Sequence, residues 1–370
     1  KDDNLIFGTA TTGIVNTAAT IMNVVNGSSA NGNSAIAIAG TGSLIFSGNI
    51  TSTDQLVMTV GTGADVFIAG NTTGGEPLKF VTAGAGGVTL NGASTQTLEG
   101  IFDSDSSLGG RLVLSGVGVK TFAEAVGGAN AHGAITTSAG STGIFASTTE
   151  GVIFNNLGTT TLTGAATITT LNNAGALTVT AAIDKVSGGL TTINMTAQGS
   201  SVLFNATDAV DLDMIVKTAT DSFGTLNFID SADAGPVANT LSGGDIGETT
   251  KRIGTINIGS ATKGGNLTTL DGDAIFAAAI NVTGGNVDTE NSLLGIHESI
   301  GDADSLAAIV LTDNAGDAEL NILTGSSVFG TIDGTAGAVG AGDSIIDVDT
   351  ALTVTGSIGG TNAVDLLQIG

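Results

Sequence analysis

Ile168-Thr-Thr-Leu-Asn172 is followed a short interval later by Leu190-Thr-Thr-Ile-Asn194, and the same pattern returns at Leu267-Thr-Thr-Leu-Asp271. Between the first two copies runs Leu177-Thr178-Val179-Thr180, nearly repeated at Leu352-Thr353-Val354-Thr355. Val88-Thr89-Leu90-Asn91, Ile193-Asn194-Met195-Thr196 and Ile256-Asn257-Ile258 follow the same rule. Each alternates an apolar residue with Thr or Asn. That period of two puts the apolar side chains on one face of a strand and the polar ones on the other. Val, Ile and Thr are stiff at χ1 and suit a pleated surface.

A second recurring word ends in Phe: Leu5-Ile-Phe7, Leu44-Ile-Phe46, Val152-Ile-Phe154, Val202-Leu-Phe204 and Leu226-Asn-Phe228, the last two separated by a similar interval. Gly and Asn pairs such as Asn26-Gly27, Asn31-Gly32 and Asn91-Gly92 separate the runs and supply turns. Only Ala277–Ala279 and Leu306–Leu311 allow a helical turn. Self-similarity at about 20–25 residues predicts an all-β, elongated β-solenoid (a parallel β-helix) with one coil per repeat. At about 22 residues per coil and about 4.8 Å per coil, the chain would make about 17 coils and a rod of about 80 Å. The alternative is tandem β-sandwich domains. Those carry a core Trp or a tyrosine corner, and this chain has neither Trp nor Tyr.

The 370 residues include 58 Gly, 2 Pro and no Cys, and carry a net charge of −25. Without Cys there is no disulfide framework and no thiolate metal site. Nine Lys and Arg cannot make the basic surface that nucleic acid requires. A mean hydropathy of +0.38 argues against disorder. No apolar run approaches the length of a membrane-spanning helix, and no signal peptide is visible behind Lys1-Asp2-Asp3. The Leu366–Gly370 end reads as mid-strand, as in a piece of a longer secreted protein.

The chain reads as a single elongated domain over 1–370 with a gradient of charge. Residues 1–185 hold 11 acidic and 5 basic residues, a near-neutral half; residues 186–370 hold 23 and 4, an acidic half. Glu76-Pro77 and Gly235-Pro236 mark loops that leave the coil. Unrelieved like charge destabilises a compact state, so the acidic half is expected to depend on salt or divalent ions.

Motifs for catalysis are missing. There is no G-x-S-x-G, no phosphate-binding glycine loop, and no H-E-x-x-H after His297. His132 and His297 read as turn or surface histidines. The chain is therefore not expected to be an enzyme. A polysaccharide-active β-helix remains the enzymatic alternative, because i, i+2 Asp pairs on a strand direct two carboxylates to one side.

Those pairs suit calcium better, which takes six to eight oxygens from carboxylates and turn carbonyls. The candidates are Asp211 with Asp213, Asp271 with Asp273, Asp302 with Asp304, and Asp347 with Asp349. Asp103 with Asp105 has the same spacing. Asp65 joins the candidates because Gly61-Thr-Gly63-Ala-Asp65-Val-Phe67 resembles the nonapeptide of RTX calcium β-rolls.

Val152-Ile-Phe-Asn-Asn156, Asn172-Asn-Ala-Gly-Ala-Leu-Thr-Val-Thr180 and Ile253-Gly-Thr-Ile-Asn-Ile-Gly259 resemble the passenger domains of bacterial autotransporters, above all the rickettsial outer-membrane surface antigens. The texture is also similar to that of calcium-dependent surface-layer proteins. The resemblance implies a β-helical passenger at the bacterial cell surface. Its expected role is a structural protein assembling with copies of itself into a coat, layer or fibre, with calcium as the one candidate cofactor. The alternative it implies is an adhesin that touches a host receptor or glycan.

Overall fold

A computed structural model describes residues 4–7, 12–15, 34–38, 40–51, 56–74, 78–106, 109–184, 191–205, 210–229, 237–242, 244–262, 265–271, 274–287, 289–336 and 342–370. The two proline loops and Asp273 lie outside the described residues. Every described element is a strand, and every strand pairing in the ladders is parallel. The fold is a β-solenoid of about 12 turns. The chain divides into two compact units, residues 1–171 with 185–187, and residues 172–184 with 188–370.

In the first unit each turn has three faces. One stacks Ser43–Phe46, Asp65–Ile68, Gly87–Leu90 and Arg111–Leu114, then His132–Thr137. The next stacks Ile50–Thr51, Thr72–Thr73, Gln96–Leu98, Val119–Phe122, Thr142–Phe145 and Thr159–Leu162. The third stacks Leu56–Val60, Leu78–Thr82 and Ile101–Ser104. Ser43 lies against Asp65 and Asp65 against Gly87, an even step that Asn49 and Asn71 repeat at the next corner.

The second unit has longer turns. Phe223 lies against Ile253, a step of 30, and Ile253 against Ala277, a step of 24. The described strands stack in about 12 turns, fewer than the roughly 17 that a uniform short repeat over the whole chain predicts. One broad face runs from Ala176–Val179 through Phe223–Phe228, Ile253–Ile258 and Ala277–Thr283 to Gly330–Ala336. A second includes Asn266–Asp271, Ser292–Ile296, Ala318–Ile322 and Ser344–Val348. The third is a column of single bridges, Val216, Ile246, Ile275, Ile300 and Val328.

The period of two explains both layers. Along Leu78–Thr82 and Ser344–Val348, buried residues alternate with half-buried ones. The apolar half packs inward, and each buried Leu, Ile or Phe stabilises by about 1.5–3 kcal/mol. Phe80, Phe102, Phe122, Phe145 and Phe154 form one continuous ring stack, with neighbouring centroids 4.6–5.6 Å apart. In the second unit Phe204 stacks on Phe228 at 4.9 Å, and Ile258, Val282 and Leu311 continue the column. The Thr and Asn half faces outward. There Asn227, Asn257 and Asn281 form an amide ladder with 2.8 Å hydrogen bonds.

The repeated words differ in what they achieve. Asn194 donates to Asn172 at 2.9 Å, so the first two copies do stack one turn apart. The third copy does not share their register. Thr191 aligns with Met214, whereas Thr268 aligns through Asn239 with Val210, earlier on the same strand. The two segments that allow a helical turn are also strands, Ala277–Thr283 and Ala307–Asp313, because each places an alternate row of aliphatics in the core.

Candidate functional site

The cation candidates among the described residues fall on several different turns of the coil. Asp65 is ion-paired with Arg111 at 2.5 Å. Arg111 reaches it across the turn of Gly87, where a Cβ would lie 2.5 Å from Arg111 Nε and 2.8 Å from Asp65 Oδ1. The backbones of Asp211 and Asp213 align with Thr240 and Ser242, and Ser242 aligns with Asp271. Asp302 shapes a turn by accepting the Asp304 N–H at 3.0 Å, and it also accepts from Thr249 Oγ1 at 3.0 Å. Asp304 borders an open groove of about 410 Å³, whose Arg252 is committed to both carboxylate oxygens of Asp221 and to the Leu306 carbonyl. Among the described residues, no three His, Asp or Glu side chains come together to hold a metal ion.

Much of the Asp and Asn at the corners does structural work that sequence reasoning missed. A corner interrupts the sheet ladder, so a backbone N–H there needs another acceptor. A short Asp or Asn side chain from the preceding turn supplies it. Asp103 accepts from Asn130 N, Asp221 from Arg252 N, Asp317 from Asp343 N and Asp333 from Thr361 N, all at 2.8–2.9 Å. Asn49, Asn71 and Asn291 do the same for Asn71, Thr97 and Asp317. In each of these seven the acceptor sits on the earlier turn. At Asp365 the direction reverses, and it accepts from Ser344 N.

At Asp221 and Asp365 such bonds favour the ionised form: the Arg252 guanidinium holds the Asp221 carboxyl well below the usual range, and hydrogen bonds from Ser344 lower the pKa of Asp365. For Asp103, burial raises the pKa, but Lys79 and the N–H groups of Asn130 and Ser104 outweigh it and the net shift is downward.

The residual negative charge gathers on one face of the second unit. Glu319 is half-buried on the strand Ala318–Ile322, next to Ser344–Val348. Burial raises its pKa, and Asp347, Asp317 and Asp349 raise it further. Its ionised form is therefore costly in the folded state, and stability is regained as the pH falls through its raised pKa. The substitution Glu319→Gln is expected to raise the melting temperature by roughly 1–3 °C at low salt, and by less at high salt, where the repulsion is screened. Far-UV circular dichroism melts at two salt concentrations check this; an unchanged or lowered midpoint at low salt refutes it.

Two buried polar groups stand out, the first of them against the sequence reading. His132 is not a surface or turn histidine: it starts the strand His132–Thr137 and is 1% exposed. Lys120 is 0% exposed and donates to the carbonyls of Gly92, Gly116 and Gly118 at 3.1, 3.1 and 2.8 Å. The three donors of its ammonium thus meet three acceptors. The period-two rule does carry this signal, since Val119-Lys120-Thr121-Phe122 puts Lys120 on the same inward side as Phe122.

Among the described residues, no helix is long and apolar enough to cross a membrane. No protein-family pattern matches the chain, and no solved structure matches it. The chain is similar to outer membrane protein A of Rickettsia rickettsii, 28% identical over 404 aligned positions that take in 98% of this chain. It spans 16% of the length of that relative. The likeness supports a location at the bacterial cell surface.

Proposed function

We propose that the chain is a structural segment of a bacterial cell-surface protein, and that it packs side by side with copies of itself into a coat or layer. The observation that carries this reading is the repetitive outward surface of the second unit. Its Asn227–Asn257–Asn281 ladder presents identical amides one turn apart, and such a surface can meet another copy in register. The carboxylates around Glu319 lie on the neighbouring face, where they would repel a second copy that approached there. Divalent cations shared between copies, rather than bound within one chain, would relieve the repulsion.

Negative-stain microscopy of the purified chain, with calcium and then with excess chelator, tests the proposal. Ordered sheets or fibres that dissolve on chelation are the expected result. Order in both conditions would keep the assembly and remove calcium from it. Single particles in both conditions would overturn the assembly.

A further inference from the structure

We infer that His132 is an acid-sensitive latch, which holds one corner of the first unit closed at neutral pH and loosens it in mildly acidic solution. The side chain packs where three strands meet, Leu78–Thr82, Ile101–Ser104 and Thr149–Asn156, and His132 aligns with Gly151 of the last. Its hydrogen bonding defines its protonation. Thr82 Oγ1 gives its proton to the Asp103 carbonyl at 3.2 Å, so towards His132 Nδ1, 3.4 Å away, it can only accept. Nδ1 therefore carries the ring proton and Nε2 is bare. Nε2 is buried and has no hydrogen-bond partner. A proton added there would create a buried cationic N–H; the Phe102 carbonyl favours the charged ring but already accepts from Gly127 N at 2.6 Å, and the cost of burying the charge outweighs it.

The charged groups on the surrounding strands do not remove that cost. On Ile101–Ser104, Asp103 is already occupied: Oδ1 accepts from Ser104 N and Asn130 N, and Oδ2 faces Lys79 Nζ at 2.9 Å. Lys79, on Leu78–Thr82, brings a positive charge of its own. Glu150, on the third strand, has its pKa raised by burial and by Asp103. Burial likewise holds the imidazole below its ordinary pKa, although the Phe102 carbonyl and Asp103 pull it upward.

The sign follows. Below the ordinary histidine pKa of about 6.5, an opened corner binds a proton that the closed corner refuses, so closure weakens as the pH falls. From pH 7 to pH 5 the opening constant can rise by up to about 25-fold. Glu150 titrates with the opposite sign and works against the opening. Asp103, held below the usual carboxylate range, loses its contribution only in stronger acid.

The chain has two histidines, His132 and His297, so histidine NMR of the full chain reads the latch directly, with His297→Gln giving the assignment. His132 is expected to stay neutral well below pH 6.5. Hydrogen exchange, corrected for the intrinsic effect of pH, is expected to show residues 78–82, 101–104 and 132–137 opening about 10–25-fold more at pH 5 than at pH 7. In His132→Gln that pH dependence should fall below twofold. Titration of His132 at or above pH 6.5 would overturn the inference, with no variant needed. So would exchange that is equal at the two pH values, or equally pH-dependent in the variant.

Discussion

Replacing Lys120 by methionine is expected to destabilise the first unit by about 3 kcal/mol. The methionine keeps the apolar stem packed but deletes the ammonium. Gly116 O still accepts from Ser141 Oγ at 2.7 Å. Gly92 O and Gly118 O lose the Lys120 donor, and each buried acceptor left unpaired costs about 1–3 kcal/mol. The control is Lys217→Met, which removes an exposed lysine 3.4 Å from Glu248. Exposed pairs of this kind contribute about 0–1 kcal/mol. Urea melts followed by far-UV circular dichroism make the comparison, because a chain without Trp offers no indole fluorescence. Equal losses in the two variants would show that Lys120 is not held as described.

Replacing Phe122 by alanine is expected to cost about 3–5 kcal/mol, the usual range for truncating a buried ring. Phe122 lies between Phe102, edge-on at 5.2 Å, and Phe145, stacked at 4.8 Å, so the cavity would interrupt the column from both sides. In a stack of turns each turn supports mainly its neighbours. Exchange protection should therefore fall within residues 78–156 and hold within 253–348. Phe122→Leu should lose much less, since most of the volume stays. A loss from Phe122→Ala far below that range, or one spread evenly over the chain, would contradict the ring column as the local source of stability.

Both predictions rest on the same inward row, and the sequence treats its members unequally. Phe122 belongs to an alternating apolar pattern and reads as core at once. Lys120 sits in the same row but reads as solvated, because a lysine is charged and charges are rarely buried. What reverses that expectation is a set of three carbonyls, two from the glycine turn just before it and one, Gly92, 28 residues back. The same holds for the corners. The excess of Asp over Glu marks turns, as Asp does generally, and the turns are there. Calcium is the natural reading of so many oxygens in glycine-rich segments. Yet Asp103, Asp221, Asp317 and Asp333 each spend an oxygen on a backbone N–H 26–31 residues ahead, which only the coiling brings near.

His132 shows the limit most sharply. Ala129-Asn-Ala-His-Gly133 is a turn-like stretch with nothing around it to suggest burial. Of the residues that enclose it, Thr82 is 50 positions away and Asp103 lies on the preceding turn. Period-two alternation is a property of one strand, fixed by backbone geometry between adjacent residues, and so strand type, inward face and an approximate repeat are all written locally. The repeat itself varies from turn to turn, short where Thr142 lies against Thr159 and long where Phe223 lies against Ile253. Each change of turn length brings a different partner over a given side chain. The sequence alone therefore determined the β-coil and its apolar interior, while the tertiary structure decided which polar groups that interior encloses and which carboxylates the corners consume.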